Sequence, residues 1–364
     1  MSPLSEMMRI LHVTEVAIGG LATYLNELLP AQCALGKFDV IALVVPDEHY
    51  CHLSVEIKKQ VRLFTYKRTG RNIGSLWRLA CCVLKARRLC KPKIIHAHSS
   101  FAGTIIRCLF VNTPIVYSPH GWAFDMRVSS AMQVAYGWVE RMLAHRTALI
   151  INVSEFEKRS GLLKGIASRK MRVVLSGISK QRLGSVRKYG HDGPLRLLFV
   201  GRFDPEKGAQ WLIDTFRTLS ADRFLLTLVG AATHGKSLET YALPNIKVLD
   251  WQLPNVLDIF YDEADLVIVP SQWEAFGLVA VEAMRRGTPS LTSDRGALPE
   301  IMGAPARERI FSLENPSSLR QILLSVTRQE IEVWGLEARA RYLEKFTTER
   351  MVLEIEDAYR QVFS

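Results

Sequence analysis

The chain has 364 residues, 48% of them apolar and 9% aromatic, with a formal net charge of +11. That length exceeds one typical core and implies two domains, and the apolar fraction fits a well-packed globular protein. No stretch approaches the ~20 apolar residues needed to span a bilayer, and Cys33, Cys51, Cys81, Cys82, Cys90 and Cys108 form neither a C-x-x-C pair nor a zinc spacing, which excludes a membrane-spanning protein and a zinc module.

Met1 to Glu6 is short and polar and the first strand follows at once, so no secretory leader is expected and the thiols suit a reducing cytoplasm. Short β-branched runs then alternate with amphipathic stretches, the pattern of parallel sheets built from βαβ units. Strands are predicted at Ile10–Val13, Val40–Val44, Ile94–His96, Ile115–Tyr117, Ala148–Val153 and Arg172–Leu175, with helices at Leu21–Leu35, Gly74–Leu89 and Met132–Ala144. Ser179 to Pro194 is polar, basic and aperiodic, and reads as a linker. A second series begins with the strand Leu195–Val200 and the helix Ala209–Ser220. Strands follow at Leu225–Val229, Lys247–Leu249, Leu266–Val269 and Ser290–Thr292. After Arg309 the pattern is helical: Ser317–Thr327, Ile331–Lys345 and Glu349–Phe363. The expected domains are 1–182, 190–345 and a terminal helix, 346–364. Two such sandwiches turn their strand ends toward a shared cleft.

The charge is uneven. Residues 1–190 carry 28 Lys/Arg against 11 Asp/Glu, a net +17, whereas residues 191–364 carry a net −6. Between Ile57 and Lys93 lie 12 basic residues and no acid. Such a half suits an anionic membrane surface, a polyprenyl-diphosphate acceptor or nucleic acid, or is simply a solvated basic face.

The most informative run is 268–300. A strand meets Pro270-Ser271, then a loop with Glu274, then Gly277 opening a helix that ends at Gly287 before Pro289. Strand, turn and glycine-led helix present backbone N–H groups and a positive helix end to phosphate. Glu274 and Glu282, eight residues apart, flank that opening and suit the hydroxyls of a sugar and a ribose. Alone, the pair could be two solvated glutamates of a βα unit. With Phe276-Gly277, the helix stop and the Gly296–Glu300 turn, a ligand with a central diphosphate and polyols at both ends is favoured: a nucleotide sugar. Gly201-Arg202 through Lys207-Gly208 ends another strand, and a guanidinium with an ammonium suits the two phosphates. Gly19-Gly20 permits close backbone approach but is not G-x-G-x-x-G. Pro119-His120-Gly121 follows a strand, which brings His120 to the strand ends as a sugar contact, a proton shuttle or a structural ring. His96 and His98 share one sheet face by alternation. With no third ligand evident, structural roles are expected there.

Together these residues resemble the retaining glycosyltransferases of the GT-B fold with an E-x7-E pair, glycosyltransferase family 4 and glycosyl transferases group 1, over nearly the whole chain. The resemblance implies two Rossmann-like α/β domains facing across a cleft. It implies that Arg202 and Lys207 hold the donor diphosphate with the amides of Phe276, Gly277, Leu278 and Val279, that Glu282 binds ribose and Glu274 the transferred sugar. His120 would lie beside the anomeric centre, Gly19-Gly20 would close over the donor, and Asp250 and Trp251 would border the base. Three places depart from the family pattern: Ala275 replaces the glycine of Glu-Gly-Phe-Gly, Ser176-Gly177-Ile178-Ser179 replaces Asn-Gly-Val-Asp, and Gly230-Ala231-Ala232 is poorer in glycine.

The implied activity is metal-independent, retaining hexosyl transfer without a cofactor, in bacterial surface polysaccharide or glycolipid synthesis. The donor would be a UDP- or GDP-sugar, and the acceptor a saccharide or a polyprenyl-diphosphate-linked one. Residence would be cytoplasmic or peripheral on the inner membrane face. A nucleotide-sugar epimerase shares this shape. An NAD-dependent oxidoreductase shares the fold class but lacks its glycine fingerprint here. A nucleic-acid binder lacks aromatic interleaving in 57–93 and any recognised module.

Overall fold

The computed structural model describes residues 7–109, 112–126, 128–184, 193–231 and 244–363. It forms two compact units, Met1–Ile178 with Thr348–Ser364, and Ser179–Thr347.

The strands of the first unit are β1 (Met8–Thr14), β2 (Phe38–Pro46), β3 (Arg62–Tyr66), β4 (Ile94–His98), β5 (Ile115–Ser118), β6 (Leu149–Asn152) and β7 (Met171–Val173). They form one parallel sheet in the order β3-β2-β1-β4-β5-β6-β7. Parallel neighbours need crossovers, supplied by α1 (Gly19–Ala34), α2 (Val55–Gln60), α3 (Ile73–Cys90), α4 (Ser100–Leu109), α5 (Ser130–Ala144) and α6 (Glu155–Leu163). Right-handed crossings put α1 and α2 on one face and α3 to α6 on the other. Strand alternation serves both faces: Ile10, Ile41 and Leu43 pack with Leu25 and Leu28, whereas Leu11, Ala42 and Val44 pack with Leu79 and Val83. Strand order reverses between β1 and β4, so the crevice above their carboxyl ends is this unit's natural ligand position.

The second unit repeats the scheme with β8 (Leu195–Val200), β9 (Phe224–Val229), β10 (Ile246–Leu249), β11 (Leu266–Val269), β12 (Ser290–Ser293) and β13 (Ile310–Phe311), ordered β10-β9-β8-β11-β12-β13. Its helices are α7 (Ala209–Phe216), α8 (Pro254–Glu263), α9 (Leu278–Arg286), α10 (Leu298–Met302), α11 (Pro316–Ser325) and α12 (Arg328–Lys345). Leu197, Phe199, Leu226, Leu228 and Ile268 meet Leu212 and Phe216 in the core. The reversal here lies between β8 and β11. The last helix, α13 (Thr348–Gln361), returns to the first unit, where Met351, Ile355 and Tyr359 bury against α1.

The two parallel sheets with alternating helices agree with the predicted α/β class. Some elements differ in detail. β3 was not anticipated, because its apolar residues sit among the basic residues of 57–93. β13 is two residues long, too short for any periodicity to mark, so the chain after Arg309 is not purely helical. The helix from Ala209 stops at Phe216 and continues as tight turns, with Thr218 and Leu219 donating to Thr215 and Phe216. Of the stretch expected as a linker, 179–184 belongs to the second unit, where Arg182 Nε donates to Asp258 at 2.7 Å. Residues 185–192 and Ala232 lie outside the described residues. Among the described residues no helix is long and apolar enough to cross a membrane.

A buried ion pair braces β5. Arg107 Nη2 meets Glu140 Oε2 at 2.8 Å, and Tyr117 donates to Glu140 Oε1 at 3.0 Å. Both charged side chains are almost wholly buried. Glu140→Ala would strand a guanidinium inside the fold. The expected cost is about 3–5 kcal/mol, seen as a melting temperature roughly 10 °C lower in thermal unfolding.

Candidate functional site

At the reversal point of the second unit, glycines bring the loop tips together. Gly208, at φ +73°, lies so close to the Pro270 carbonyl that a Cβ there would be 2.1 Å from its oxygen. The amide of Gln272 donates to Glu206 O at 2.8 Å, tying the β8 loop to the β11 loop. Lys207 is thereby delivered to Glu274: Nζ lies 2.5 Å from Oε1, which also accepts from Ser271 Oγ at 3.0 Å. Behind Glu274 a third backbone contact holds the loop. A Cβ on Gly296 would fall 2.2 Å from the Glu274 carbonyl oxygen, and Ala297 N donates to that oxygen at 2.9 Å.

Gly277 caps α9 at φ +105°, with Leu278 and Val279 opening the helix. The first amides of a helix have no carbonyl one turn earlier within it, and such a start is the kind of place where phosphate binds. The Phe276 side chain is buried edge-to-face on Phe346, so only its backbone is available there. Glu282 accepts from Tyr261 Oη at 2.7 Å through Oε2. Burial raises its carboxyl above the ordinary value, opposed by the Tyr261 hydrogen bond and by Arg285. Arg202 is held by acids of its own loop, with Nε 3.1 Å from Asp204 and Nη2 3.8 Å from Glu206. It makes no hydrogen bond or ion pair with Lys207 or Glu274. Asp250 and Trp251 follow β10, and Trp251 is 55% exposed.

In the first unit Gly19, at φ +56°, and Gly20 open α1 and are exposed. His120 sits at φ +53° immediately after β5, a conformation rare outside glycine and sustained only by its surroundings. The Tyr24 and His120 rings meet edge-to-face with centroids 4.5 Å apart, and Gly121 N donates to Glu157 Oε1 at 2.5 Å. Burial holds the His120 imidazole down to about 3, so it is neutral at ordinary pH.

Two further contributors escaped the sequence. His12 is the third ring beside His96 and His98; their ligand atoms lie within 4.8 Å of one another, close enough for a metal ion. All six nitrogens are already committed to hydrogen bonds with His12, His98, Gln32, Tyr359, Ser118 and His120, so the donor set fits a proton-ordered cluster better than a metal. The shared face of His96 and His98 agrees with the expected alternation. Pairing of β1 with β4, which no local pattern reveals, adds His12 directly opposite His96. The other contributor is Glu157, whose signal was the Ser154-x-x-Glu157 helix start: Ser154 Oγ accepts from Glu157 N at 3.0 Å.

Glu157 Oε2 accepts from Val153 N at 2.8 Å, and burial raises its carboxyl to about 7. The folded chain therefore keeps a proton that the unfolded chain has lost between the ordinary value of 4.5 and about 7. The stability contributed by this group is fully present below that window and is lost, by about 3 kcal/mol, as pH rises through it. Glu157→Gln should flatten this slope when melting temperatures are compared at pH 4.5 and 8.

Comparison with known proteins supplies the family. Residues 18–182 match Glycosyltransferase Family 4 and residues 185–344 match Glycosyl transferases group 1. An uncharacterized 41.2 kDa protein in the cps region of Klebsiella pneumoniae is 30% identical over 342 residues, covering 90% of this chain and 92% of the relative. UDP-Gal:alpha-D-GlcNAc-diphosphoundecaprenol alpha-1,3-galactosyltransferase of Escherichia coli is 22% identical, covering 82% and 84%. The fold matches the crystal structure of Anabaena HepE in complex with UDP-glucose, at a TM-score of 0.78 and 18% identity over 97% of this chain and 99% of that one. Two parallel α/β units, each matching one half of the same enzyme family, make this chain a member of the GT-B glycosyltransferases of family 4 and group 1.

Proposed function

We propose that this glycosyltransferase moves a sugar from a UDP- or GDP-sugar to a saccharide or a polyprenyl-diphosphate-linked saccharide, with retention at the anomeric carbon and without a metal ion. The observation that carries the proposal is Lys207 held on Glu274 at the meeting of the β8 and β11 loops. An ammonium has three donors; with one on Glu274, two remain for phosphate oxygens. Arg202 and the first amides of α9 would add to them, meeting the charge of the leaving diphosphate. Glu274 would bind the transferred sugar and Glu282 the ribose, with Tyr261 fixing the latter's orientation. Trp251 offers an exposed ring face to the base, with Asp250 beside it. Gly19 and Gly20 offer backbone that a donor phosphate can approach, and His120 would contact a sugar hydroxyl.

Retention fits a site whose contribution is positional and electrostatic: the diphosphate departs from a loosened sugar and the acceptor attacks from the same face. The name of the E. coli relative supports a UDP-sugar donor and a diphosphoundecaprenol-linked acceptor.

A peripheral membrane position is supported by α3 and α5, which share one sheet face. Ile73 and Trp77 on α3 and Val134 and Trp138 on α5 are exposed, 68% and 65% for the two tryptophans. Arg78, Lys85, Arg88 and Arg141 lie on the same helices. Indole rings among basic side chains suit an anionic lipid interface.

Donor identity is tested by thermal stabilisation. The true donor at 100 times its Kd should add about 2.7 kcal/mol, and a panel of UDP- and GDP-sugars without any shift would refute nucleotide-sugar binding. Lys207→Ala should lower kcat about 10²–10³-fold with the fold intact. An inverted anomer in the product, activity abolished by EDTA, or an epimerised donor formed without acceptor would each overturn the corresponding part. The wild type should sediment with phosphatidylglycerol vesicles at low salt and release at high salt; Trp77→Ser with Trp138→Ser should abolish this, and a wild type left in the supernatant excludes the membrane role.

A further inference from the structure

Three histidines of the first unit form one hydrogen-bonded chain with Gln32. Gln32 Oε1 lies 3.0 Å from His12 Nε2, His12 Nδ1 lies 2.9 Å from His98 Nε2, and His98 Nδ1 lies 3.0 Å from His120 Nε2. His12, Gln32 and His98 are wholly buried, whereas His120 is half-buried at the end. Successive rings stack at 5.3 Å, tilted by 12° and 29°. No acid lies in the chain, and burial keeps every ring neutral, His12 and His120 being lowered to about 3.

A neutral imidazole has one N–H and one lone pair, so the direction of one link dictates all the others. With the Gln32 oxygen toward His12, the His12 proton sits on Nε2 and its Nδ1 accepts from His98 Nε2–H. His98 Nδ1 then accepts from His120 Nε2–H. The lone pair of His120 is left on Nδ1, which makes no hydrogen bond among the described residues. The Gln32 amide also meets α13: its Nε2 donates to Tyr359 Oη at 3.4 Å, and Tyr359 Oη is 2.6 Å from His96 Nδ1. His96 Nε2 in turn meets Ser118 Oγ at 2.9 Å. Turning the amide over reverses every proton in the chain and makes His120 Nδ1 a donor.

We propose that Gln32, His12 and His98 are positioning residues that fix His120 as the Nε2–H tautomer, presenting Nδ1 as an acceptor for a sugar hydroxyl. The contact with sugar rests on the function proposed above; the tautomer does not. Tyr359 brings the returning helix into the device, because its hydroxyl accepts the Gln32 N–H.

Nitrogen-15 NMR of labelled histidine distinguishes a protonated from a bare ring nitrogen, and three variants test the direction. In the wild type His120 should carry its proton on Nε2. Gln32→Leu removes the acceptor for the buried His12 N–H, and a buried N–H without a partner is tolerated less than a bare lone pair. The chain should therefore reverse, moving the His120 proton to Nδ1. Turnover should fall at least about tenfold, as wrong-tautomer histidines do, with the donor KM within about twofold. Gln32→Glu keeps an acceptor at the head of the chain and should retain the Nε2–H form. A wild-type proton on Nδ1, or an unchanged His120 tautomer in a folded Gln32→Leu variant, overturns the relay. Full turnover by His120→Ala would instead overturn the sugar contact while the spectra still decide the relay.

Discussion

Between Gly208 and the Pro270 carbonyl there is room for no side chain, and the loop arrangement of the second unit depends on that gap. The β8 loop can lie on the β11 loop only because Gly208 lacks a Cβ and accepts a positive φ. The same economy recurs at Gly230 against the Gly201 carbonyl, where a Cβ would fall 1.8 Å away, and at Gly296 against Glu274. The loops after β8, β9, β11 and β12 thus meet through backbone, and the side chains are free to face outward. Lys207 and Glu274 owe their contact to this, not to any attraction acting over a distance.

The first unit solves a different problem, that of polar rings inside a parallel sheet. Burying an imidazole without partners is costly, and β1 and β4 bury His12, His96 and His98 on the face covered by α1 and α13. The cost is offset because every ring nitrogen has a partner. A consequence is order: a chain of neutral rings cannot choose its protons one at a time. Tyr359, close to the end of the polypeptide, becomes part of the environment of His120.

Charge separates the units as well. Residues 1–190 carry a net +17, with exposed basic residues on α3 among them, whereas the buried Arg107 is paired with Glu140. In the second unit the ions gather around α8 and α9. Arg182 and Arg285 share Asp258, fixing the helix that carries Tyr261 and, through it, Glu282.

Much was legible in the residues themselves. Short β-branched runs and helical periods located most strands and helices, because burial within a parallel sheet and on a helix face selects residues locally. The 268–300 run announced a glycine-led helix, and Gly208 and Gly296 marked turns, because steric limits on φ act within a few residues. Legibility ended where the cause was remote. β3 and β13 are edge strands whose pairing comes from neighbours far along the chain. His12 gave no signal, since only the β1–β4 register sets it opposite His96, and Gln32 and Tyr359 read as ordinary helix residues. Local sterics and solvent contrast are written in the order of residues; which polar atoms share a proton is decided only when distant strands and helices are packed within 3 Å of one another.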